Sequence, residues 1–212
     1  MNIGSLDTGL KSGIAELGLS LDDKQVERLL EYLELLIKWN RHYNLTANTD
    51  PAKMLSYHLL DSLSICQYFD ASSNALDVGS GAGLPGIPLA IAMPNSSWIL
   101  LDSNGKKTRF MLQALAHCQI ENARVVKCRV ADYHAPEPFD VIVSRAYGSL
   151  VKFCQSVAHL VENRTRLMAM KSGLEDGEAN ALDLKSYTLH ETRLKVPGIV
   201  GERSLVIVSK NS

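Results

Sequence analysis

A chain of 212 residues, 46% hydrophobic and 21% charged, has material for one enlarged α/β domain, or for one domain and an appendage. A net charge of -1 gives no broad field for a polyanion, no apolar run approaches the ~20 residues that cross a bilayer, and the first residues lack the basic-then-apolar pattern of a secretory signal. The four scattered cysteines form no Cys-x-x-Cys pair and the six histidines no His-x-x-x-His, so neither a zinc site nor any other metal chemistry is written here, and the thiols suit the reducing cytoplasm.

Residues 1–70 read as helices and are expected to form a cap. Ser20 and Asp23 predict a capping box, followed by Val26, Leu29, Leu30, Leu33, Leu36 and Ile37 at helical spacing up to about Trp39. Asn40 to Ala47 breaks the period and predicts a structured turn. Asp50-Pro51 restarts a helix, and His58 to Phe69 continues it. The character changes at Asn74. Ala75–Val78 is a short strand entering a glycine-rich loop, with a helix over Gly86–Ala92. Trp98–Leu101 is a buried strand ending at Asp102, followed by a helix over Lys106–His117. Arg124–Val126, Phe139–Val143 and Arg166–Met170 are further strands, with a helix over Leu150–Leu160. Tyr187–Lys195 and Ser204–Ser209 close the chain as an antiparallel pair. Strands alternating with helices predict a mostly parallel sheet covered on both faces, over residues 71–212.

The glycine loop carries the first chemical signal. A strand that enters a helix through glycines lets the backbone approach a ligand and aims helix N–H groups at it. Gly79, Gly81 and Gly83 give the spacing of a methyltransferase loop, whereas Gly81, Gly83 and Gly86 give the dinucleotide fingerprint Gly-x-Gly-x-x-Gly. Asp102 ends the next strand and suits ribose hydroxyls in either case. Three features favour methyl over hydride transfer: Asp77 two residues before the first glycine, a helical segment ahead of the cofactor unit, and the terminal antiparallel strands. Within the same class the runner-up is a methyltransferase for another RNA or a small molecule; an NAD-dependent oxidoreductase is the competing class, and a cofactor-binding module without catalysis is a third.

Several further segments resemble one family as a set. Trp39-Asn40-Arg41-His42-Tyr43-Asn44-Leu45-Thr46-Ala47, His58-Leu59-Leu60-Asp61-Ser62-Leu63, Asp77 through Pro88, Ser144-Arg145-Ala146 and Gly201-Glu202-Arg203 are together similar to the bacterial small-subunit ribosomal RNA methyltransferases of the glucose-inhibited division protein B family. The resemblance implies a class I, Rossmann-like methyltransferase fold with a seven-stranded sheet. It also implies S-adenosylmethionine as cofactor and N7 methylation of a guanine, position 527 in the usual numbering, in 16S ribosomal RNA; the weak basic field makes a structured 30S particle the expected substrate form. Carried over residue by residue, it implies that Gly79 and Leu84 contact the cofactor, that Val130 and Ala131 lie against its adenine, and that Arg145 closes the pocket, facing cofactor or guanine. The chain departs from the family at Asn104, Ala131 and Ser204, where Leu, Glu and His are usual. At position 131 the contact would then come from backbone, or the carboxylate from Asp132.

Guanine N7 carries a lone pair and no proton, so the transfer needs no general base, and none is visible. Alignment of nucleophile, methyl and leaving sulfur is enough, with Arg145 as a positioning candidate. Lys171 and Arg203 lie near strand ends on the expected active face and are candidates for RNA contact, weighed against structural pairing. His58 is expected to be a capping or core histidine. Trp39 and Tyr43 are read as packing residues before RNA stackers, and Lys106, Lys107 and Arg109 as solvated residues before phosphate ligands.

Overall fold

The computed structural model describes residues 3–174, 178 and 186–211. Helix α1 (Ile3–Glu16) leads to α2 (Asp23–Tyr43), which lays Val26, Leu29, Tyr32, Leu33, Leu36 and Ile37 on one buried stripe. The cap to α2 differs from the predicted one. Asp22 and not Ser20 is the N-cap: its carboxylate accepts the Gln25 N–H at 2.7 Å, while the Asp22 N–H donates to Gln25 Oε1 at 2.9 Å. Gln25 settles the register because its amide also donates to the carbonyls of Ile91 and Ala92, both at 3.0 Å, at the open end of a sheet-domain helix.

The predicted break after Trp39 is also displaced. The helix runs on to Tyr43 and stops at Asn44, whose backbone is left-handed at φ 50°. Asn40 is polar but buried, and it organises the turn that follows: its side-chain amide donates to the Asn48 carbonyl and its oxygen accepts the Thr46 N–H. The next helical segment is irregular, with α3 (Pro51–Met54), a π-helical stretch over Leu55–Leu60, and a closing turn α4 (Asp61–Leu63). His58 is the expected core histidine. It is buried, with Nε2 2.8 Å from Thr46 Oγ1, and burial followed by the nearby Arg145 charge lowers its pKa to about 4, so it is neutral.

The sheet contains β1 (Asn74–Val78), β2 (Ser97–Asp102), β3 (Ala123–Lys127), β4 (Val141–Arg145), β5 (Arg166–Lys171), β6 (Tyr187–Arg193) and β7 (Ser204–Lys210), with α5 (Gly86–Ala92), α6 (Gly105–His117) and α7 (Leu150–Val157) between strands. Its order is β3-β2-β1-β4-β5-β7-β6. The first five strands are parallel. The last strand inserts between β5 and β6, antiparallel to both, as the terminal pair predicted, although β6 ends at Arg193 and not at Lys195. Sequential strands run outward from β1 to β3, and the chain then returns to place β4 on the other side of β1. The crevice at the carboxyl ends of β1 and β4 is thus a topological switch point, where open α/β sheets bind ligands.

Two cores sandwich the sheet. One face carries Leu76, Leu101, Ile142 and Leu167 under α7. The other carries Trp98, Leu100, Val141 and Met168 under α5 and α6, and the same cluster continues without a break into Leu29, Tyr32, Leu33 and Leu36 of α2. Trp39 belongs to this layer too, edge-on to Phe110 at 5.6 Å and tilted against Tyr43 at 5.0 Å, which favours packing over a free stacking platform. Because the Asp22 box closes α2, Asp22→Ala should cost about 1 kcal/mol in chemical denaturation and Ser20→Ala much less; the reverse order would contradict the observed cap.

Candidate active site

The glycine loop is built around a carboxyl group. Asp77 is fully buried on β1, and its Oδ2 accepts the Gly86 N–H at 2.9 Å, one of the N–H groups left open at the start of α5. Burial raises its pKa to about 7, against the opposing pull of the Gly86 and Ser80 hydrogen bonds. Gly86 has to be glycine: an added Cβ would stand 2.3 Å from Leu100 Cδ2 and 2.7 Å from Asp77 Oδ2. Between these anchors Gly79, Gly81 and Gly83 all adopt positive φ, at 70°, 61° and 84°, so the loop doubles back above the strand ends.

Asp102 ends β2 beside this loop. It is 8% exposed, with Oδ2 accepting the Gly81 N–H at 2.9 Å and Oδ1 accepting the Asn104 N–H at 2.8 Å. Each oxygen keeps a second lone pair for a ligand hydroxyl. At Gly81 an added Cβ would meet nothing closer than the Gly79 carbonyl at 3.8 Å and Lys107 Nζ at 3.9 Å, so the backbone is open to a ligand there. Leu84, within the loop, is buried, its N–H donating to the Ser80 carbonyl at 2.9 Å. Val130, half-buried, and Ala131, exposed, form a short turn after β3, on the same side as Asp102. Asp132, in that turn, is exposed as well, and so are Lys106 and Arg109. Open glycine backbone, a ribose-competent carboxylate and a turn after β3 suit S-adenosylmethionine.

One tie to the loop comes from outside the sheet domain. The hydroxyl of Tyr32, on α2 and fully buried, donates to the Ala82 carbonyl at 2.7 Å. Sequence reasoning placed Tyr32 nowhere; its position on the apolar stripe of α2 was the only available signal.

Next to the loop a cavity of about 810 Å³ opens over the ends of β4 and β5 and the start of β7. Tyr147 joins the two regions, since it lines the cavity and its ring lies 3.3 Å from where a Cβ on Gly79 would be. The backbone here is constrained, with Ala146 at φ 58° and Gly148 at φ 98°, and Ser144 Oγ ties β4 to β1 through the Val78 carbonyl at 2.7 Å. Arg145 turns towards the cap: its NH1 donates to the Tyr57 carbonyl at 2.8 Å and to Asp61 Oδ2 at 3.1 Å. Arg203 approaches the same carboxylate from the other side, with Nε 3.4 Å from Oδ1 and the guanidinium 5.4 Å from the centre of the Tyr57 ring. Lys171 is largely covered and paired with Glu178, whose carboxylate also accepts the Leu150 N–H. Arg145, Lys171 and Arg203 thus share one cavity wall, while Gly79, Gly81 and Asp102 belong to the adjoining loop region. In the sequence Asp61 is one residue of the His58–Leu63 motif, and its two arginine partners lie too far along the chain for a local pattern to find.

A glycine loop after β1, a carboxylate ending β2 and an inserted antiparallel last strand define an S-adenosylmethionine-dependent methyltransferase of the class I, Rossmann-like fold. The model of rRNA small subunit methyltransferase G matches residues 25–206, and the chain belongs to that family. Among curated relatives, the ribosomal RNA small subunit methyltransferase G of Pseudomonas aeruginosa strain LESB58 is 48% identical, over 96% of this chain and 95% of its own. That of Nitrosococcus oceani is also 48% identical, over 93% and 92%. Solved structures resemble the fold alone. A SAM dependent methyltransferase from Aquifex aeolicus has a TM-score of 0.54 at 16% identity, covering 76% of this chain and 93% of that one. A protein in the NADB-Rossmann superfamily from Streptococcus agalactiae has a TM-score of 0.60 at 13% identity, covering 71% and 68%. Family membership resolves the overlapping glycine spacings in favour of methyl transfer over NAD chemistry.

The Asp77 carboxyl ionises near 3.8 when free and at about 7 in the fold, so between those values the native state holds a proton that the unfolded chain has lost. Stability therefore falls as pH rises through that window and levels off above it. Asp77→Asn cannot titrate, and its side-chain oxygen can still accept the Gly86 N–H. Its stability relative to wild type should improve between about pH 5 and about pH 7.5 in guanidinium unfolding. A pH-independent difference would contradict a raised Asp77 pKa.

Proposed function

We propose that this protein transfers a methyl group from S-adenosylmethionine to N7 of a guanine in 16S ribosomal RNA, at position 527, with the RNA presented in a 30S particle in the cytoplasm. The reading treats residues 1–70 as a helical cap on a 71–212 methyltransferase domain. The observation that carries it is the polar cavity beside the glycine loop, joined to it through Tyr147, in a chain of the small-subunit methyltransferase G family.

Bound S-adenosylmethionine supplies an electrophilic methyl group on a sulfonium centre. Gly79 and Gly81 let the backbone approach it, Asp102 accepts the ribose hydroxyls through its free lone pairs, and Val130 and Ala131 flank the adenine. Leu84 contacts the cofactor from the loop. The guanine enters the neighbouring cavity splayed out of its loop, as single-stranded bases are usually read. Arg145 stands on the cavity side of the boundary, so it positions the guanine. No residue has to remove a proton, because N7 carries none; the side chains align the reactants and exclude water. Arg203 is 22% exposed at the cavity wall and offers a local contact to RNA, whereas Lys171 can do so only by sharing or leaving Glu178.

The test supplies labelled S-adenosylmethionine with 30S particles, protein-free 16S RNA and a minimal hairpin. A weak global field should make the folded particle the best substrate, with one modified guanine found by mass mapping. Asp102→Ala should weaken S-adenosylhomocysteine binding by about 1–3 kcal/mol, a rise of roughly fivefold to 150-fold in Kd, because ligand hydroxyls lose their acceptors. A label on no guanine, or unchanged affinity in that variant, would overturn the corresponding part of the reading.

A further inference from the structure

The cavity wall holds a charge arrangement that the methyl-transfer reading leaves unused. Arg145 and Arg203 converge on one carboxylate, that of Asp61, which is 4% exposed and comes from the cap, not from the sheet. The two partners are held differently. Arg145 NH1 makes hydrogen bonds to both Asp61 Oδ2 and the Tyr57 carbonyl, whereas Arg203 Nε is at ion-pair distance from Oδ1 without hydrogen-bond alignment. The other charges on the wall are otherwise engaged: Lys171 with Glu178, and Glu202 with Arg193. His58, alongside, is neutral. Two guanidiniums and one carboxylate therefore leave a single positive charge at the pocket, and without the carboxylate there would be two.

That sum bears on the reaction. Methylation at N7 turns a neutral guanine into a cation, so positive charge develops in the ring as the new bond forms. Uncompensated guanidiniums at the wall would attract RNA phosphate in the ground state and oppose the ring in the transition state. A carboxylate between them halves their net charge and so reduces its opposition to the ring as the ring becomes cationic.

We propose that Asp61 is a positioning and charge-balancing residue of the acceptor pocket, fixing the Arg145 guanidinium at the wall and offsetting the combined charge of Arg145 and Arg203 against the guanine as it becomes cationic. This rests on the guanine-N7 reading above. Burial raises the Asp61 pKa and the two arginines pull it back, while the ion-pair geometry to both guanidiniums is that of a carboxylate. It also gives the cap a part in the chemistry, since Asp61 lies on α4.

Removing charge and removing structure give different signatures. Asp61→Asn keeps the size and one acceptor but loses the charge. In single-turnover methyl transfer at saturating 30S substrate its rate should fall about tenfold or more, equivalent to about 1.4 kcal/mol or more. Its RNA affinity should be equal to or tighter than wild type, and its S-adenosylhomocysteine affinity within about twofold. Adding Arg203→Gln restores the original sum of charges and should recover at least about threefold of the lost rate. An Asp61→Asn rate within twofold of wild type, a parallel loss of rate and both affinities, or a double variant no faster than the single one would each overturn the inference. Should Asp61→Asn fail to fold, Arg203→Gln alone decides: weaker RNA binding with a faster transfer step supports charge balance, and a slower step overturns it. A wild-type protein that methylates no guanine in the same assay would instead fail the function reading itself, and the inference with it.

Discussion

The hydroxyl of Tyr32 and the carbonyl of Ala82 meet in the buried core, and each is the other's route out of an unsatisfied buried polar group. The bond can form only if α2 lies flat against the sheet domain at the correct height. That height is set by a core in which Leu29, Leu33 and Leu36 of the cap share one apolar cluster with Leu100 and Phe110. Each fully buried leucine contributes roughly 1.5–3 kcal/mol of transfer free energy, so the attachment is strong, and the glycine loop inherits its rigidity. Gln25 on α5 and Asp61 on Arg145 repeat the device: one helical layer reaches the cofactor loop, the helix after it and the acceptor pocket.

The parts of the site that were legible in the sequence are those written locally. Gly79, Gly81 and Gly83 are read from spacing because positive φ at three positions in five residues leaves few alternatives to glycine. Asp102 is read from its place at the end of an apolar run. The overlapping dinucleotide spacing also has a local explanation: Gly86 is there for packing against Leu100 and the Asp77 carboxylate, so it completes a fingerprint without serving one. What stayed hidden depends on partners far along the chain. Tyr32 carries no mark in the sequence beyond its spacing along α2, Asp61 is one letter of a motif, and Lys171 stands between RNA contact and structural pairing until Glu178 is seen beside it. The capping box slipped from Ser20 to Asp22 for the same reason, because the deciding contact is from Gln25 to the end of α5.

Charge is distributed to match this division of labour. A chain with a net charge of -1 cannot rely on a broad basic surface to hold ribosomal RNA. Two of its arginines, Arg145 and Arg203, line one cavity and meet the Asp61 carboxylate there, and Lys171 beside them meets Glu178. The buried Asp77 serves a different end: it ties β1 to the start of α5.

All of this requires cap and sheet to fold as one cooperative unit. Native-state hydrogen exchange under increasing denaturant measures that directly, residue by residue. If the shared core governs the site, the amides of α2 around Tyr32 and those of β1 around Asp77 should converge on the same opening free energy and the same denaturant dependence. Exchange of the α2 amides through a separate opening, several kcal/mol cheaper than that of β1, would show that the cap detaches by itself and cannot be what holds the glycine loop.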